Sequence, residues 1–193
     1  MPLDLKQILD ADGWSLEFEN ETAFFYNNAS WIASMAYVHI IYKPQTTDVL
    51  EQVGTRLELP ARWMEFLSVQ NGANLFSGAL FIYGAPGTKA LLNRSDPLNI
   101  GAFSLTNMNE EKWSADEHSA TTIIGGYGFD GTHVVLDKRT GEVSARNCET
   151  IHRKWSGSEE WLFEEYARLS FLHDRSGKLL VAQKFTLPID IEQ

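Results

Sequence analysis

The chain has little of what cross-links a small protein covalently or through a metal. Cys148 is the only cysteine in 193 residues, so no internal disulfide and no thiolate cluster for zinc can form. A single thiol is typical of a reducing compartment, and we expect the protein in the cytoplasm. The five histidines are scattered and include no pair at i, i+4 spacing, which predicts no metal site.

Long apolar runs are also missing. The most apolar stretch extends from Trp31 to Tyr42 and is interrupted by Ser34 and His39, whereas a helix needs about 20 apolar residues to cross a bilayer. Charged side chains stand where a secretory signal would need an apolar segment: Asp4, Lys6, Asp10 and Asp12. Neither membrane insertion nor export is therefore expected.

Positive charge is scarce. Lys and Arg total 16 against 26 Asp and Glu, which gives a formal net charge of −10. A field of this sign repels phosphate backbones and attracts basic partners. Nucleic acid is therefore not an expected partner, whereas a basic protein is compatible with the charge.

Apolar and aromatic residues are abundant by contrast. Hydrophobic residues make up 44% of the chain, with six Trp and eleven Phe, which is ample for one packed core. No repeat or Gly/Ser/Pro-rich linker divides the chain. The sequence predicts a single α+β domain over residues 1–193, with a helical hairpin and a C-terminal helix packed on a mainly antiparallel β-sheet.

The helical hairpin is the clearest local pattern. Apolar residues from Val49 to Leu57 recur along one face of a first helix, for which Thr47 or Asp48 would be the cap. A tight connection at Leu59 and Pro60 starts a second helix. Its inward residues would be Trp63, Phe66 and Leu67, and the left-handed Asn71-Gly72 pair would end it.

The rest of the chain alternates between strand and turn signals. Strands are predicted at 79–84, 121–126, 132–137 and 142–146, and Gly141 would form the turn of an antiparallel hairpin. A helix is predicted at about 158–174, with Ser156 and Glu159 as a capping box. The segment 85–120 is expected to form surface loops. Residues 30–42 fit either a helix capped by Ser30 or a strand after an Asn27-Asn28 turn.

Two segments resemble the SUKH superfamily, which includes fungal regulators of cell-wall synthesis and bacterial immunity proteins. The first is VLEQVGTRLELPARWMEFLSVQNGANLFSGALFIYG and the second is IIGGYGFDGTHVVLDKRTGEV. The resemblance covers about residues 44–172, so residues 1–43 would be an N-terminal elaboration. It rests on the spacing of scaffold residues: Gly54, Leu59, Pro60, Trp63, Phe66, Leu67, Asn71, Gly72 and Gly141.

The resemblance implies a protein-binding module. The leading expectation is an immunity protein that neutralises a bacterial toxin, a nuclease among the candidates, by direct binding. The alternative is a regulatory or scaffold protein of the cell-wall assembly type, which would bind partners without inhibiting a toxin. The sequence leaves the oligomeric state open.

One acidic segment is the candidate binding site. Carboxylates surround an aromatic residue there: Glu110, Glu111, Trp113, Asp116 and Glu117. Tryptophan is a frequent interface anchor, and the carboxylates would favour a cationic partner. The competing interpretation is that Trp113 pins the loop to the core. Asp130 would join this surface if the two loops converge.

No catalytic or cofactor motif survives inspection. Gly126 to Gly131 fits the dinucleotide-binding pattern, but a strand rather than a helix is predicted to follow it, so no cofactor is expected. Cys148 lies near Glu149 and His152 without forming a recognisable triad. The pair Glu164-Glu165 is predicted to be solvated surface charge. We therefore expect that the protein is not an enzyme.

Overall fold

The computed structural model describes residues 3–34, 36–85, 102–112, 120–128, 131–147 and 150–180, together with Pro188. For residues 111 and 112 it describes only the backbone. The helices are α1 Leu5–Ala11, α2 Thr47–Leu57, α3 Ala61–Val69, α4 Leu105–Lys112 and α5 Ser158–Leu172. The strands are β1 Leu16–Glu19, β2 Ala23–Asn28, β3 Tyr37–Tyr42, β4 Ala73–Leu75, β5 Leu80–Ile82, β6 Thr121–Tyr127, β7 His133–Asp137, β8 Val143–Asn147 and β9 Thr150–Trp155.

The strands form one antiparallel sheet in which spatial order equals chain order, from β1 to β9. The predicted α+β class and the helices packed on an antiparallel sheet are confirmed. The hairpin between β7 and β8 turns at Gly141, whose φ is +77°, as predicted. The Asp137 carboxylate accepts N–H bonds from Thr140 at 2.7 Å and Arg139 at 2.9 Å. The Thr140 bond is the main reason that the pKa of Asp137 lies below its ordinary value.

The N-terminal third contributes strands to the same sheet. Of the two possibilities for residues 30–42, a strand is observed, but only over β3. The predicted Asn27-Asn28 turn is wrong, because both residues belong to β2, and the chain turns after them, where the Ala29 N–H donates to the Ala36 carbonyl at 2.8 Å. Successive side chains of these strands point to opposite faces. Tyr26 and Ile41 enter the main core, whereas Phe25 and Ile40 belong to a smaller cluster on the other face.

The helical hairpin forms as predicted. Trp63, Phe66 and Leu67 of α3 are buried, and Pro60 immediately precedes the helix. The connection turns at Glu58, which adopts a left-handed conformation with φ +53°. The predicted caps of α2 are wrong by one or two residues, because the helix begins after Thr46.

Asn71 and Gly72 have a different role from the one predicted. Helix α3 ends in an extended residue, Gln70, so the left-handed Gly72 (φ +86°) does not form its cap. The Asn71 side chain instead accepts from the Ala85 N–H at 2.7 Å and donates to the Ala85 carbonyl at 2.8 Å. A Cβ on Gly72 would lie 2.4 Å from the Ile82 carbonyl oxygen. Asn71 and Gly72 therefore hold the chain that leads into β4 against the end of β5. The spacing of residues along α3 could not indicate this contact.

Helix α5 covers one side of the sheet. Its predicted inward residues Leu162, Tyr166 and Leu169 are buried, and Trp161 joins them. The predicted capping box uses Glu160 in place of Glu159: its carboxylate accepts from the Ser156 N–H and hydroxyl, both at 2.6 Å. These bonds to Ser156 hold the pKa of Glu160 below its ordinary value.

The prediction of surface loops over 85–120 is wrong for residues 105–112, which form α4. Leu105 and Asn109 on this helix are buried. The helix has almost no apolar periodicity, because a polar side chain, Asn109, occupies a position that faces the core. Residues 86–101 and 113–119 lie outside the described part of the chain.

Candidate functional site

The predicted acidic site begins on α4. Glu110 is an exposed residue of this helix, and Glu111 follows it in the same helix. Trp113, Asp116, Glu117 and Asp130 lie outside the described residues. The geometry of the site is therefore argued from α4 and from what surrounds Glu110.

A buried amide holds α4 against the sheet. The Asn109 side chain accepts from the Ile123 N–H at 2.9 Å and donates to the Ile123 carbonyl at 2.9 Å. It also donates to the Leu105 carbonyl at 2.8 Å and is 1% exposed. The amide thus pairs with β6 as a neighbouring strand would. Because Asn109 faces inward, the next residue, Glu110, is carried on a rigid support and faces solvent.

The start of α4 is tied to the end of β5 as well. The Gly84 N–H donates to the Phe103 carbonyl at 2.9 Å, and the Leu105 N–H donates to the Gly84 carbonyl at 2.9 Å. A Cβ on Gly84 would lie 2.1 Å from the Asn71 carbonyl oxygen. The motif residue Asn71 therefore helps to position α4, because the backbone it clamps leads directly into these bonds.

An ion pair connects α4 to the first helix of the hairpin. Glu110 contacts the guanidinium of Arg56 on α2, and both side chains are about half exposed. An open concavity of about 560 Å³ lies along the exposed face of α2 beside Arg56. Its lining residues are Asp48, Glu51, Gln52, Thr55 and Arg56.

These contacts extend the predicted acidic site onto the hairpin. We call the surface formed by Asp48, Glu51 and Glu110 around Arg56 the α2–α4 face. It presents three carboxylates and one guanidinium from two helices. An exposed ion pair of this kind contributes at most about 1 kcal/mol to folding. Exposed charge chiefly affects which partners approach and how fast they do so.

The glycine-rich segment that begins at the end of β6 has a structural explanation. The strand predicted at 132–137 follows as β7, which begins at His133, so the helix N-terminus required for pyrophosphate binding does not follow these glycines. A Cβ on Gly128 would lie 1.9 Å from the Gly78 carbonyl oxygen, and one on Gly126 would lie 2.7 Å from the Tyr83 hydroxyl. These glycines allow the backbone of β6 to pass close to its neighbours.

One predicted surface carboxylate is in fact buried. Glu165 has 0% exposure, which contradicts the prediction that Glu164 and Glu165 are both solvated. Its carboxylate accepts from Arg168 at 2.6 and 2.9 Å and from the Tyr127 hydroxyl at 2.9 Å. Burial, with the nearby Glu165 charge, raises the pKa of Tyr127 well above its ordinary value. Position along a helix, not adjacency in the chain, decides which carboxylate faces the sheet.

The neighbouring carboxylate binds the sheet edge. Glu164 accepts from Arg153 at 2.6 Å and from the Trp155 indole N–H at 3.0 Å. Together, Glu164 and Glu165 tie α5 to β9 and β6. The two side chains have separate partners and therefore do not form an acid–base pair.

His39 on β3 is a buried imidazole whose pKa is strongly perturbed. It is 0% exposed and packs edge-on against Trp14 and Phe76, at ring-centroid distances of 4.3 and 4.6 Å. Its Nδ1 accepts from the Phe76 N–H at 3.4 Å. Burial lowers the pKa of His39 to about 3, with the charges of His173 and Arg175 adding to the effect. The ring is therefore neutral at physiological pH and serves as a core side chain.

Within the described ranges, no three side chains of His, Cys, Asp or Glu are grouped as metal ligands. Cys148 lies outside these ranges. No helix of the described residues has the length and apolar character needed to cross a membrane. Comparison with models of protein families and with curated protein sequences gives no match to this chain.

Proposed function

We propose that this chain is a SUKH-like protein-binding module that neutralises a bacterial toxin in the cytoplasm by direct binding. The helical hairpin with Leu59-Pro60 and the β-hairpin with Gly141 are the features that resemble the superfamily. The net charge of −10 is compatible with a basic toxin domain as the partner. Nuclease domains fit this description because they bind phosphate backbones through basic residues.

The α2–α4 face is the proposed binding surface. The observation that carries this assignment is the position of Glu110, exposed on a helix that Asn109 fixes to the sheet and joined to Arg56 beside the α2 concavity. A rigid support reduces the conformational entropy lost on binding. Carboxylates on such a support would steer a basic partner and hold its cations.

Co-expression tests the function. The toxin-domain product of a neighbouring reading frame is expressed in cells with and without this chain, and growth and complex formation are measured. We expect survival and a co-purifying complex. If cells die equally fast in both cases and no complex forms, that toxin is not the partner. A complex that leaves toxin activity intact would favour the scaffold alternative.

Charge reversal tests the surface. The double variant Glu51→Lys with Glu110→Lys should lose protection, because it places cations on the α2–α4 face. Glu17→Lys with Glu21→Lys is the matched control, since both residues are exposed acids elsewhere and the net charge changes equally. We expect both variants to slow association and only the first to speed dissociation. Equal dissociation rates would move the binding site away from α2 and α4.

Trp113→Ala separates the two interpretations of that residue. If Trp113 is an interface anchor, its replacement should weaken the free energy of binding by about 2 kcal/mol and leave the melting temperature unchanged. A core residue should lower the melting temperature by several degrees and leave the affinity of the folded protein nearly unchanged. Only the first result places Trp113 in the proposed surface.

A further inference from the structure

Helices α1 and α5 lie side by side and run in the same direction. Asp4, the cap of α1, and Glu159, in the first turn of α5, line the same groove. Just after α1 ends, the Tyr166 hydroxyl of α5 donates to the Asp12 carboxylate at 2.7 Å. The path from Asp4 to Asp12 along α1 therefore follows the path from Glu159 to Tyr166 along α5.

An open groove of about 320 Å³ lies between the exposed sides of these two helices. On α1 the lining residues share one face through their three- and four-residue spacing: Asp4, Gln7, Ile8 and Ala11. On α5 they are Glu159 and Phe163, which lie four residues apart on one ridge. The groove is thus built mainly from regular faces of two helices.

The apolar part of the groove is open. Phe163 is 53% exposed, and no aromatic ring or cation of the described residues lies over it. Leu3 and Ile8 pack against the main core and are only partly buried. A cavity of about 150 Å³ holds a benzene ring, so the groove is large enough for one aromatic or large aliphatic side chain.

The charged residues that line the groove are carboxylates. Glu159 makes no hydrogen bond or ion pair with the described residues. One carboxylate oxygen of Asp4 accepts from the N–H groups of Lys6 at 2.9 Å and Gln7 at 3.3 Å, and the other oxygen makes no such bond. No lysine or arginine is among the described lining residues. The groove therefore suits a partner that presents an apolar side chain together with a cation.

We propose that this α1–α5 groove binds one cationic amphipathic helix of a protein partner. An apolar side chain of that helix enters the groove beside Phe163, and its Lys or Arg side chains contact Asp4 and Glu159. Docking of an amphipathic helix in an apolar groove is a common recognition mode, with anchors at i, i+3 and i+4.

The dipole of α5 sets the direction of the partner helix. An antiparallel helix places its negative C-terminal end beside the positive N-terminal end of α5, where Glu159 lies. Lys or Arg in the last turn of the partner helix is also favoured by that helix's own dipole. The same orientation therefore brings the partner's cations to the two carboxylates.

The complex is expected to be weak. One helix in one groove covers less than a standard interface of about 1,600 Å² in total, so we expect dissociation constants of about 1–100 µM. The groove shares no residue with the α2–α4 face. The proposal therefore stands or fails independently of toxin neutralisation.

Peptide display with the full chain selects the ligand directly. A randomised library of helical peptides of about five turns is first depleted on Phe163→Ser, whose melting curve must show that it is folded, and is then selected on wild type. We expect enriched peptides with apolar residues at i and i+4 and with Lys or Arg in the last turn. A selection that enriches no peptide, or peptides without these cations, would overturn the proposal.

Titration of an enriched peptide tests the carboxylates. Glu159→Lys should weaken binding at least about fivefold, because it places a cation beside the partner's cations. Glu51→Lys on α2 is the matched control, since it changes the net charge equally at an exposed position outside the groove, and it should change the affinity less than about twofold. Equal weakening by both substitutions would mean that the peptide senses the overall charge, and would overturn the proposal.

Methyl NMR with spin-labelled peptides tests the site and the orientation. A label at the C-terminus of the enriched peptide should broaden the Leu3 methyl signals, and a label at its N-terminus should broaden the Ala11 methyl signal. The reverse pattern would overturn the antiparallel arrangement. Broadening confined to methyl groups outside the groove would overturn the site.

A second copy of the chain is the competing occupant. Sedimentation velocity of the chain without peptide at about 5–500 µM covers the affinities of small interfaces. We expect a monomer, or a dimer that Phe163→Ser leaves unchanged. A dimer that Phe163→Ser abolishes, while Phe171→Ser on the same helix does not, would make the groove a contact between copies and overturn the proposal.

Discussion

Three buried side-chain amides in the described part of the structure act as substitutes for backbone. Asn71 bonds Ala85, and Asn109 bonds Ile123. The Gln70 side chain accepts from the Leu5 N–H at 2.9 Å and donates to the Leu3 carbonyl at 3.1 Å. Each amide supplies one donor and one acceptor to a segment that lacks a strand neighbour, so each satisfies buried polar groups.

Replacing Asn109 with Leu should lower the free energy of unfolding by about 2–3 kcal/mol. The substitution leaves the N–H and the carbonyl of Ile123 buried without their partner, and unsatisfied buried groups are costly. Urea denaturation measures the change. Asn107→Leu is the control, because Asn107 is exposed on the same helix. Equal effects of the two substitutions would show that the Asn109 bonds contribute little.

His39 makes stability depend on pH. The unfolded chain takes up a proton at the ordinary pKa of 6.5, whereas the folded chain does so only near a pKa of about 3. Between these values the unfolded state binds more protons, so the free energy of unfolding falls as pH falls through this window. The contribution of the neutral, buried His39 to the free energy of unfolding is complete above pH 6.5.

His39→Gln should therefore flatten the acid dependence, because glutamine keeps an acceptor and does not titrate. Between pH 7 and about pH 4.5 we expect wild type to lose about 2 kcal/mol more than this variant, as measured by urea denaturation at each pH. His152→Gln on β9 is the control. Parallel pH profiles for wild type and His39→Gln would mean that His39 does not titrate in this window.

At the scale of elements, helix packing depends on how closely backbones approach. A Cβ on Gly54 of α2 would lie 2.8 Å from the Met64 side chain of α3. Trp63 stacks on Phe66 with ring centroids 4.7 Å apart and is 1% exposed. The hairpin thus combines a close helix contact with large buried rings.

Trp63→Ala should cost about 4 kcal/mol of unfolding free energy, because it removes a large buried side chain and leaves a cavity. Chemical denaturation measures the loss. Arg62→Ala, an exposed neighbour on α3, should change stability by less than about 0.5 kcal/mol. A near-wild-type unfolding curve for Trp63→Ala would show that α3 does not pack as described.

At the scale of the whole molecule, one antiparallel sheet follows the order of the chain from β1 to β9, and the net charge of the chain is strongly negative. Most neighbouring strands are joined by short turns, whereas α2 and α3 separate β3 from β4, and α4 lies between β5 and β6 in the chain. The net charge of −10 acts over the whole surface and affects association more than fold.

Binding to a basic partner should therefore depend on salt. Between about 20 and 500 mM NaCl we expect the association rate constant to fall about tenfold and the dissociation rate constant to change much less. Stopped-flow mixing of the chain with a basic toxin domain that co-purifies in the co-expression experiment measures both. An association rate that does not vary with salt would show that the negative charge serves solubility and does not steer the partner.

Local patterns were sufficient for elements whose own residues carry the signal. The α2–α3 hairpin, the β7–β8 hairpin and α5 were predictable because their apolar spacing and turn residues are local. Helix α4 and strands β2, β4 and β9 were missed. Their own residues lack a clear apolar period, and their placement depends on contacts with other elements, as when Asn109 of α4 bonds Ile123 and β9 pairs with β8.

The sequence by itself determined the α+β class, the negative charge and the helical hairpin, because composition and short-range apolar periodicity are enough to predict them. Only the tertiary structure decided that Glu165 is buried, that Asn71 clamps Ala85, and that Arg56 lies beside the acidic helix. These outcomes follow from which faces of the elements meet. No local pattern specifies a contact between segments far apart in the chain.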